Sequence, residues 1–248
     1  VRIVHGPKLT SLRLACRVAV EEVRFQQVVE GSPDFTALSL APFLHARPNT
    51  LGRFTDVPVF GWYETEPTTR GTRYPYSYVF THEDGGTPTD RLMATWGRST
   101  DIEYLYSVEI GRDGAIVAED FQGPDHEILP YAGPRIGRHP QLWVVTDNNM
   151  VLDRGTPTVR HAPAPIHFPL HGISREAVMD AHPWLYEVAS RELLREGRIA
   201  ADAPPGRGII PDPRRFVYVE ACGEAGVTAL SFAVRAGDSW YSSRSLRR

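Results

Sequence analysis

The chain has 248 residues, 42% of them hydrophobic, which is enough to bury a full core. Its formal net charge of -3 gives no positive field for nucleic acid, so we expect no nucleic-acid partner. No apolar run reaches the length of about 18 residues that a membrane-spanning helix needs, which predicts no membrane span.

Glycine and proline each occur 21 times and separate short β-like segments over the first two thirds of the chain. This punctuation is typical of sandwiches and barrels. We therefore expect a mainly β fold, an antiparallel β-sandwich of jelly-roll type, as a single domain over residues 1–248. Residues 12–29 fit a strand, although a helical stripe fits them as well. The other expected strands are 57–63, 73–81, 92–96, 102–110, 115–121 and 142–147, with a hairpin turn at 112–114.

The clearest helical pattern lies towards the C-terminal end and predicts a short helical insertion at about 174–197. Its second helix is expected to begin near Pro183 and to bury one apolar stripe. The Pro- and His-rich residues 154–172 are expected to form a surface loop. After a further break, the segments 216–222 and 227–234 predict a closing hairpin.

Cys16 and Cys222 are the only cysteines, and each lies in a β-like segment near one end of the chain. A disulfide would form between them if the terminal strands are neighbours; the alternative is two buried thiols in a reducing cytoplasm. The chain begins at Val1 rather than methionine, and it is rich in tryptophan, tyrosine, proline and glycine. These features favour a secreted or extracytoplasmic protein.

Asp101 and Glu103 stand two residues apart at the start of an apolar strand. Alternate residues of a strand share a face, so their Cα atoms are expected roughly 6.6 Å apart with both side chains on the same side. Such a pair can hold one cation or handle one substrate proton. The other face is expected to carry Ile102, Tyr104, Tyr106, Val108 and Ile110. The alternative is that Asp101, Glu103, Ser107 and Glu109 form the wet face of an ordinary sheet.

Asp84 follows the tyrosine-rich strand 73–81 and is the third acidic residue in this group. Three converging carboxylates would require a cation, and hard oxygen ligands select Ca²⁺ or Mg²⁺, with Mn²⁺ if a histidine joins them. We therefore expect Asp84, Asp101 and Glu103 as metal ligands. The candidate catalytic residues are Asp101, Glu103 and His126, which would share acid/base work.

Three further residues are candidates for substrate binding. Arg98 could clamp a carboxylate or phosphate, or could form an ion pair with Asp101. Trp96 would stack on a sugar ring if partly exposed and would otherwise belong to the core. Asn148 lies in the segment 147–149, which is expected to be a turn first and a polar substrate contact second.

The order of three segments between about residues 73 and 150 resembles the necrosis- and ethylene-inducing-like cytolysins and related vacuolar-sorting-like β-sandwich proteins. The segments are YPYSYVFTHEDGG, STDIEYLYSVEIGRDG and HPQLWVVTDNN. In those families the strand reads Asp-Trp-Glu and helps to bind a divalent cation, so the resemblance implies ligand roles for Asp101 and Glu103 and a third for Asp84. This chain departs from the pattern, because Ile102 replaces the tryptophan and residues 97–100 replace a His-rich segment. His126 is the nearest substitute for the missing histidine.

These observations predict a secreted, metal-dependent, glycan-degrading enzyme, either a hydrolase or a lyase. One alternative is a non-enzymatic, cytolysin-like module that binds a glycan or a glycolipid through the same rim. Another is a cytoplasmic natural-product biosynthetic enzyme of a GC-rich bacterium, which would have reduced cysteines and an apolar pocket. The oligomeric state does not follow from the sequence.

Overall fold

The computed structural model describes residues 2–3, 24–25, 27–48, 56–83, 85–156, 159–162, 164–200, 208–213, 232–236 and 238–243. Asp84 and both cysteines lie outside the described residues. The ligand role of Asp84 therefore stays a prediction, and the choice between a disulfide and two thiols stays open. Most of the predicted strand 12–29 and the first half of the predicted closing hairpin also lie outside them.

The described chain is mainly β, with four short helices and one 3₁₀ turn at Pro124–His126. The helices are α1 (Phe35–Leu40), α2 (Thr89–Trp96), α3 (Ala177–Ala181) and α4 (Trp184–Arg195). The strands are β1 (Arg2–Ile3), β2 (Arg24–Phe25), β3 (Phe43–His45), β4 (Pro58–Tyr63), β5 (Glu66–Pro67), β6 (Gly71–Phe80), β7 (Asp101–Gly111), β8 (Ile116–Gln122), β9 (Ile128–Pro130), β10 (Arg135–Ile136), β11 (His139–Val144), β12 (Val151–Leu152), β13 (Arg160–His161), β14 (Ile166–His167), β15 (Phe232–Ala236) and β16 (Ser239–Ser243).

Two sheets account for most of these strands. The larger has the order β14-β4-β6-β7-β8-β9, with β5 paired to β6, and the smaller has the order β10-β11-β3-β13, with β12 paired to β11. Most neighbours are antiparallel, while β3 with β11 and β4 with β14 run parallel. Two separate pairs remain, β1 with β2 and β15 with β16.

The two sheets pack against each other through one apolar cluster. Tyr76, Tyr78 and Phe80 of β6 contribute to it from the larger sheet, and Leu44 and Leu142 contribute from the smaller one. All five side chains are almost fully buried. The sandwich-like arrangement of a mainly β fold is therefore confirmed, and the tyrosine row of β6 belongs to the core.

The opposite face of the larger sheet is covered by the C-terminal helices. Val79 and Ile102 point to this side and pack with Val178, Met179 and Leu185 of the helical segment. The predicted helical insertion is confirmed, with Gly197 in the left-handed conformation directly after α4. None of the helices in the described part of the chain has both the length and the apolar character needed to span a bilayer.

Halfway along strand β7, the side chains that point into the space between the sheets change from odd-numbered to even-numbered positions. The strand therefore does not follow the predicted alternation. The register against β6 shifts between the pairs Tyr76 with Tyr106 and Ser77 with Tyr104, so Leu105 forms a bulge. Leu105 and Tyr106 both join the core between the sheets, whereas Tyr104 bonds Arg73 on the opposite face. The prediction that Ile102 to Ile110 share one face was therefore wrong, because a single inserted residue reverses the side to which every later side chain points.

Residues 89–96 form helix α2 and not the predicted strand 92–96. Pro88 precedes the helix, Asp90 lies in its first turn, and Gly97 ends it in a left-handed conformation. Buried Thr89, Leu92 and Thr95 recur every third residue, as on one face of a helix. The short apolar run fitted both periods, and its flanking proline and glycine are helix end signals.

The remaining strand predictions were largely confirmed. Strands β4, β6, β7 and β8 lie within a few residues of their predicted positions, and Gly111 and Gly114 close the predicted hairpin turn. Strand β11 begins earlier than predicted and ends at Val144, because a turn follows. The predicted surface loop 154–172 contains the two short strands β13 and β14, which extend the two sheets.

Gly61 of β4 lies opposite Tyr78 and provides the first test of the core. A Cβ atom at this position would lie 2.3 Å from the ring of Tyr78, which is fully buried and cannot withdraw. We expect Gly61→Ala to lower the free energy of unfolding by about 1–3 kcal/mol through overpacking. Urea unfolding should show this loss, and Gly208→Ala, where the added Cβ meets open space, should not. Equal stability of the two variants would contradict this packing.

Candidate functional site

Asp101 and Glu103 lie on the same face of β7, as predicted, but that face points inward. They are only 3% and 7% exposed, and in register they lie opposite Phe80 and Tyr78 of the core. The alternative that these two residues belong to a solvent-exposed face of the sheet is therefore wrong, because both side chains are buried.

Glu83, 8% exposed, is a third acidic residue close to this pair. We refer to Glu83, Asp101 and Glu103 as the carboxyl cluster. Glu103 donates a hydrogen bond to Asp101, and Glu83 Oε1 accepts a 2.6 Å hydrogen bond from the backbone N–H of Thr87. The cluster therefore lies at the end of the sandwich where β6 stops and β7 starts.

Burial controls the protonation of the carboxyl cluster. It raises the pKa of Glu103 to about 9, with the charge of Asp101 as the second cause, and it raises the pKa of Glu83 to about 7, again with Asp101 second. Burial also raises the pKa of Asp101, while a hydrogen bond from Asn149 and the charge of Arg98 oppose that rise. Burial therefore keeps a proton on the Asp101–Glu103 pair at neutral pH.

Gln122 connects the pair to His126. Its Nε2 donates to Glu103 Oε2 at 2.8 Å and lies 3.0 Å from Nδ1 of His126. The three predicted catalytic residues are thus brought into one chain of hydrogen bonds, although their catalytic roles stay predictions. Sequence reasoning missed Gln122, which ends β8 four residues before His126.

His126 is exposed and sits in an uncommon backbone conformation. Asp125 and His126 have φ of 61° and 62°, two successive non-glycine residues in the left-handed region. Such a conformation costs free energy and persists where surrounding contacts hold it. Here it places the imidazole at the rim, next to Gln122.

Arg98 does not form the ion pair with Asp101 that the sequence suggested, and its guanidinium lies against Trp96. Arg98 is 4% exposed, donates to Glu176 Oε1 at 2.8 Å and to the carbonyl of Thr100, and its guanidinium carbon lies 5.1 Å from the Trp96 ring centroid. Arg98 therefore forms its ion pair with Glu176 and acts on Asp101 through charge without contact. The predicted substrate-binding roles of Arg98 and Trp96 stay predictions.

The segment 147–149 forms the predicted turn, and its asparagines have different environments. Asn148 is half-buried near Gly86, where its predicted contact with a substrate stays a prediction. Asn149 is fully buried and donates to Asp101 Oδ2 at 2.9 Å and to Asp56 Oδ2 at 2.9 Å. Sequence reasoning missed Asn149 and Asp56, and only the run of polar residues after β11 pointed in this direction.

The residues present only partly match a metal site. In the part of the chain that the structure describes, no group of three or more His, Cys, Asp or Glu side chains is arranged to hold a metal ion. The chemistry of the donors nevertheless fits a hard cation, because the surrounding side chains supply carboxylate and amide oxygens. One of these, Asn149 Oδ1, is buried without any hydrogen-bond partner.

A polar cavity of about 380 Å³ lies at the opposite end of the larger sheet. Thr68, Gly71, Thr72, Ile110 and Arg112 are among the residues that line it, where β6 begins and β7 ends. It is far along both strands from the carboxyl cluster and shares no residue with it. We therefore do not assign this cavity to the site.

Fold and site together define a β-sandwich protein with a buried carboxyl cluster at one end of its sheets. No family model matches the chain, and the search of curated proteins found no match. Among solved structures, the chain is similar to Necrosis and Ethylene inducing Protein 2 from the causal agent of cocoa's Witches' Broom disease. The identity is 12%, the TM-score is 0.37, and the match covers 74% of this chain and 85% of that chain. At these values, membership of the cytolysin family and the metal-ligand roles remain hypotheses.

The protonation of Glu103 predicts how stability depends on pH in protein freed of divalent cations. The folded protein holds this proton up to about pH 9, whereas the ordinary glutamate pKa is 4.5. The folded state therefore binds more protons than the unfolded state between these values. The contribution of Glu103 is complete below pH 4.5, and it decreases as the pH rises, with a slope of up to about 1.4 kcal/mol per pH unit for one proton.

Urea unfolding of chelator-treated protein across this pH range should show the decrease. Glu103→Gln should make the decrease shallower, most clearly between about pH 7 and pH 9, because glutamine is neutral at every pH and is of the same size, whereas the contribution of Glu83 to the decrease lies below about pH 7. Glu119→Gln, on the next strand and outside the carboxyl cluster, is the control and should keep the wild-type slope. Identical slopes for wild type and Glu103→Gln would contradict the proton assignment.

Proposed function

We propose that this protein binds a glycan, or the glycan headgroup of a glycolipid, through a divalent cation and without breaking a bond. The observation that carries the proposal is the burial of three acidic side chains that act on one another: Glu103 is hydrogen-bonded to Asp101, and Asp101 acts on Glu83 through its charge. Buried carboxyl groups are costly unless a proton or a cation neutralises them. Arg98, which acts on Glu83 and Asp101, forms its ion pair with Glu176 instead. Arg175, which acts on Asp101 and Glu103 through its charge, is only half-buried.

Asp101 and Glu103 would hold the cation through carboxylate oxygens, and Asp84 keeps the ligand role that the resemblance implies. Ca²⁺ or Mg²⁺ suits such oxygen donors, and Mn²⁺ would suit them if His126 contributed. When bound, the cation supplies positions that accept hydroxyl oxygens of a sugar. It would also replace the proton that Glu103 otherwise carries.

The rim outside the carboxyl cluster offers polar contacts for a sugar. Asp125, His126 and Glu127 are exposed, and Asn148 is half-buried on the neighbouring turn. His126 is tied to the buried pair through Gln122, so a ligand that contacts the imidazole is coupled to the cation site. These groups support recognition of hydroxyl-bearing ligands.

The geometry of the acidic pair favours binding over glycoside hydrolysis. Retaining glycosidases hold their two carboxyl groups about 5–5.5 Å apart and inverting ones about 6.5–9.5 Å apart, with the sugar between them. Asp101 and Glu103 are hydrogen-bonded directly to each other, which leaves no room for a glycosidic bond between them.

A hydrolase or lyase remains the second candidate because of one observation. The raised pKa of Glu103, caused first by burial, provides an acid that still holds its proton at neutral pH, and Gln122 links it to an exposed histidine. Such a pair can share acid/base work. The cytoplasmic biosynthetic enzyme has no comparable support from the described residues.

Export to a secreted or extracytoplasmic location belongs to the same proposal. A glycan or glycolipid headgroup is met outside the cytoplasm, and the weak Ca²⁺ sites of extracellular modules, with Kd of about 10⁻⁴–10⁻³ M, suffice there. The oligomeric state is not part of the proposal.

Asp101→Asn tests the proposed binding. The substitution keeps the size of the side chain but removes the charge that would hold the cation, so Ca²⁺-dependent binding should fall at least tenfold, or about 1.4 kcal/mol. Cosedimentation with phosphatidylcholine vesicles, with and without a glycosylceramide, measures this in Ca²⁺ or in chelator. Asp113→Asn, in the exposed hairpin turn after β7, is the matched control.

Binding by Asp101→Asn that equals wild type in Ca²⁺ would refute the cation role. Product analysis after incubation with a panel of polysaccharides separates the two candidates. Bond cleavage by wild type that disappears in Asp101→Asn would replace the binding proposal with the hydrolase or lyase.

A further inference from the structure

Asn149 lies at the meeting point of three segments that are distant in sequence. Its Nδ2 is 2.9 Å from Asp101 Oδ2 on β7, 2.9 Å from Asp56 Oδ2 and 3.2 Å from the backbone carbonyl oxygen of His82. The residue is fully buried, and its φ of 61° places it in the left-handed region, which asparagine tolerates better than most residues. A turn closed by Thr146 holds this conformation.

The hydrogen bonding of this amide is unbalanced. Three acceptor oxygens surround Nδ2, which has only two hydrogen atoms to donate. At the other end of the same group, Oδ1 is buried and has no hydrogen-bond partner. An unsatisfied buried acceptor is costly, and native structures keep such groups where something else, such as an ion, can satisfy them.

The distances of the three acceptors from the amide are also compatible with a shared cation. Calcium binds oxygen ligands at about 2.3–2.6 Å, which sets adjacent ligand oxygens about 3 Å apart. The three oxygens lie at this spacing from the end of the Asn149 side chain. The two ends of a carboxamide have nearly the same shape, so rotation by half a turn would put Oδ1 where Nδ2 now lies.

The carboxylate of Asp56 is held in place through Oδ1, the oxygen that does not contact Asn149. Its Oδ1 accepts hydrogen bonds from the backbone N–H of His82 at 3.2 Å and from Thr81 Oγ1 at 3.3 Å. Arg47 Nη2 lies 3.8 Å from Asp56 Oδ2, while Nη1 of the same arginine is engaged with Asp147 at 2.5 Å. Oδ2 is thereby directed at Asn149.

We propose that Asn149 is a switchable ligand of the cation: its amide nitrogen occupies the oxygen cradle in the cation-free protein, and its Oδ1 joins Asp56 Oδ2, Asp101 Oδ2 and the His82 carbonyl around the bound ion. The inference rests on the proposed function and adds three donors to the site. Two carboxylates, one amide oxygen and one backbone carbonyl are the mixture that Ca²⁺ takes.

Direct measurement of cation binding tests the role of Asn149. Calorimetric titration with Ca²⁺ should show affinity at least ~10-fold weaker for Asn149→Ala, since even residues that only support metal ligands cost roughly that much. Asn149→Asp restores an oxygen ligand and should bind Ca²⁺ within tenfold of wild type or tighter. Without Ca²⁺ this variant should melt at a lower temperature than wild type, because three carboxylates then lie together with neither a hydrogen-bond donor nor a cation between them.

Gln141→Ala is the matched control, because it deletes a carboxamide from strand β11 of the smaller sheet, where the amide bonds His45. It should keep wild-type Ca²⁺ affinity. A measurement on wild type alone avoids any folding defect of the variants: the side-chain ¹⁵N–¹H signals of Asn149 should shift on Ca²⁺ addition as Nδ2 leaves the two carboxylates.

The possible outcomes separate this inference from the proposed function. Wild-type affinity in Asn149→Ala, equal losses in the Ala and Asp variants, or unmoved Asn149 signals while Ca²⁺ binds would each overturn the ligand role of Asn149 alone. Wild type that binds neither Ca²⁺, Mg²⁺ nor Mn²⁺ would remove the proposed function and this inference together. If Asp101→Asn lost binding while Asn149→Ala kept full binding, the proposed function would stand and the ligand role of Asn149 would be refuted.

Discussion

The inward direction of the first residues of β7 is the constraint on which the rest of the site depends. Asp101 and Glu103 share a face with the core residues opposite them, Phe80 and Tyr78, so their carboxyl groups are removed from water. Removal from water favours the neutral form of each acid, which is why Glu103 keeps its proton and bonds Asp101. The half-buried Gln122 and the fully buried Asn149 then supply hydrogen bonds to this pair in place of water.

The bulge at Leu105 makes this arrangement compatible with an apolar core. Had β7 continued without it, the face that carries Asp101 and Glu103 would also have carried Ser107 and Glu109 into the space between the sheets. The inserted residue exchanges the two faces, so Tyr106 and the apolar residues after it point inward instead. Ser107 and Glu109 then bond Arg73 and Arg70 on the outer face. One strand thereby serves an acidic site at one end and an apolar core at the other.

Uncommon backbone conformations gather around the same end of the sandwich. Asn149 and the successive residues Asp125 and His126 all have positive φ; the side chain of Asn149 contacts Asp101, and that of His126 contacts Gln122. Strained positions of this kind are held by their surroundings and are common at binding sites. The combination of these positions with buried carboxyl groups supports the proposed cation site, and the exposed imidazole of His126 would extend that site to the surface.

The sequence by itself determined the local features of this protein. Glycine and proline spacing predicted most of the strands, the residues after Pro183 predicted a helix, and the spacing of Asp101 and Glu103 predicted a shared face. Only the tertiary structure decided which way that face points, because one bulged residue reverses it and leaves no mark in the composition. The partners of Asn149 also required the fold, since they lie 48 to 93 residues away along the chain and meet only when the strands pair.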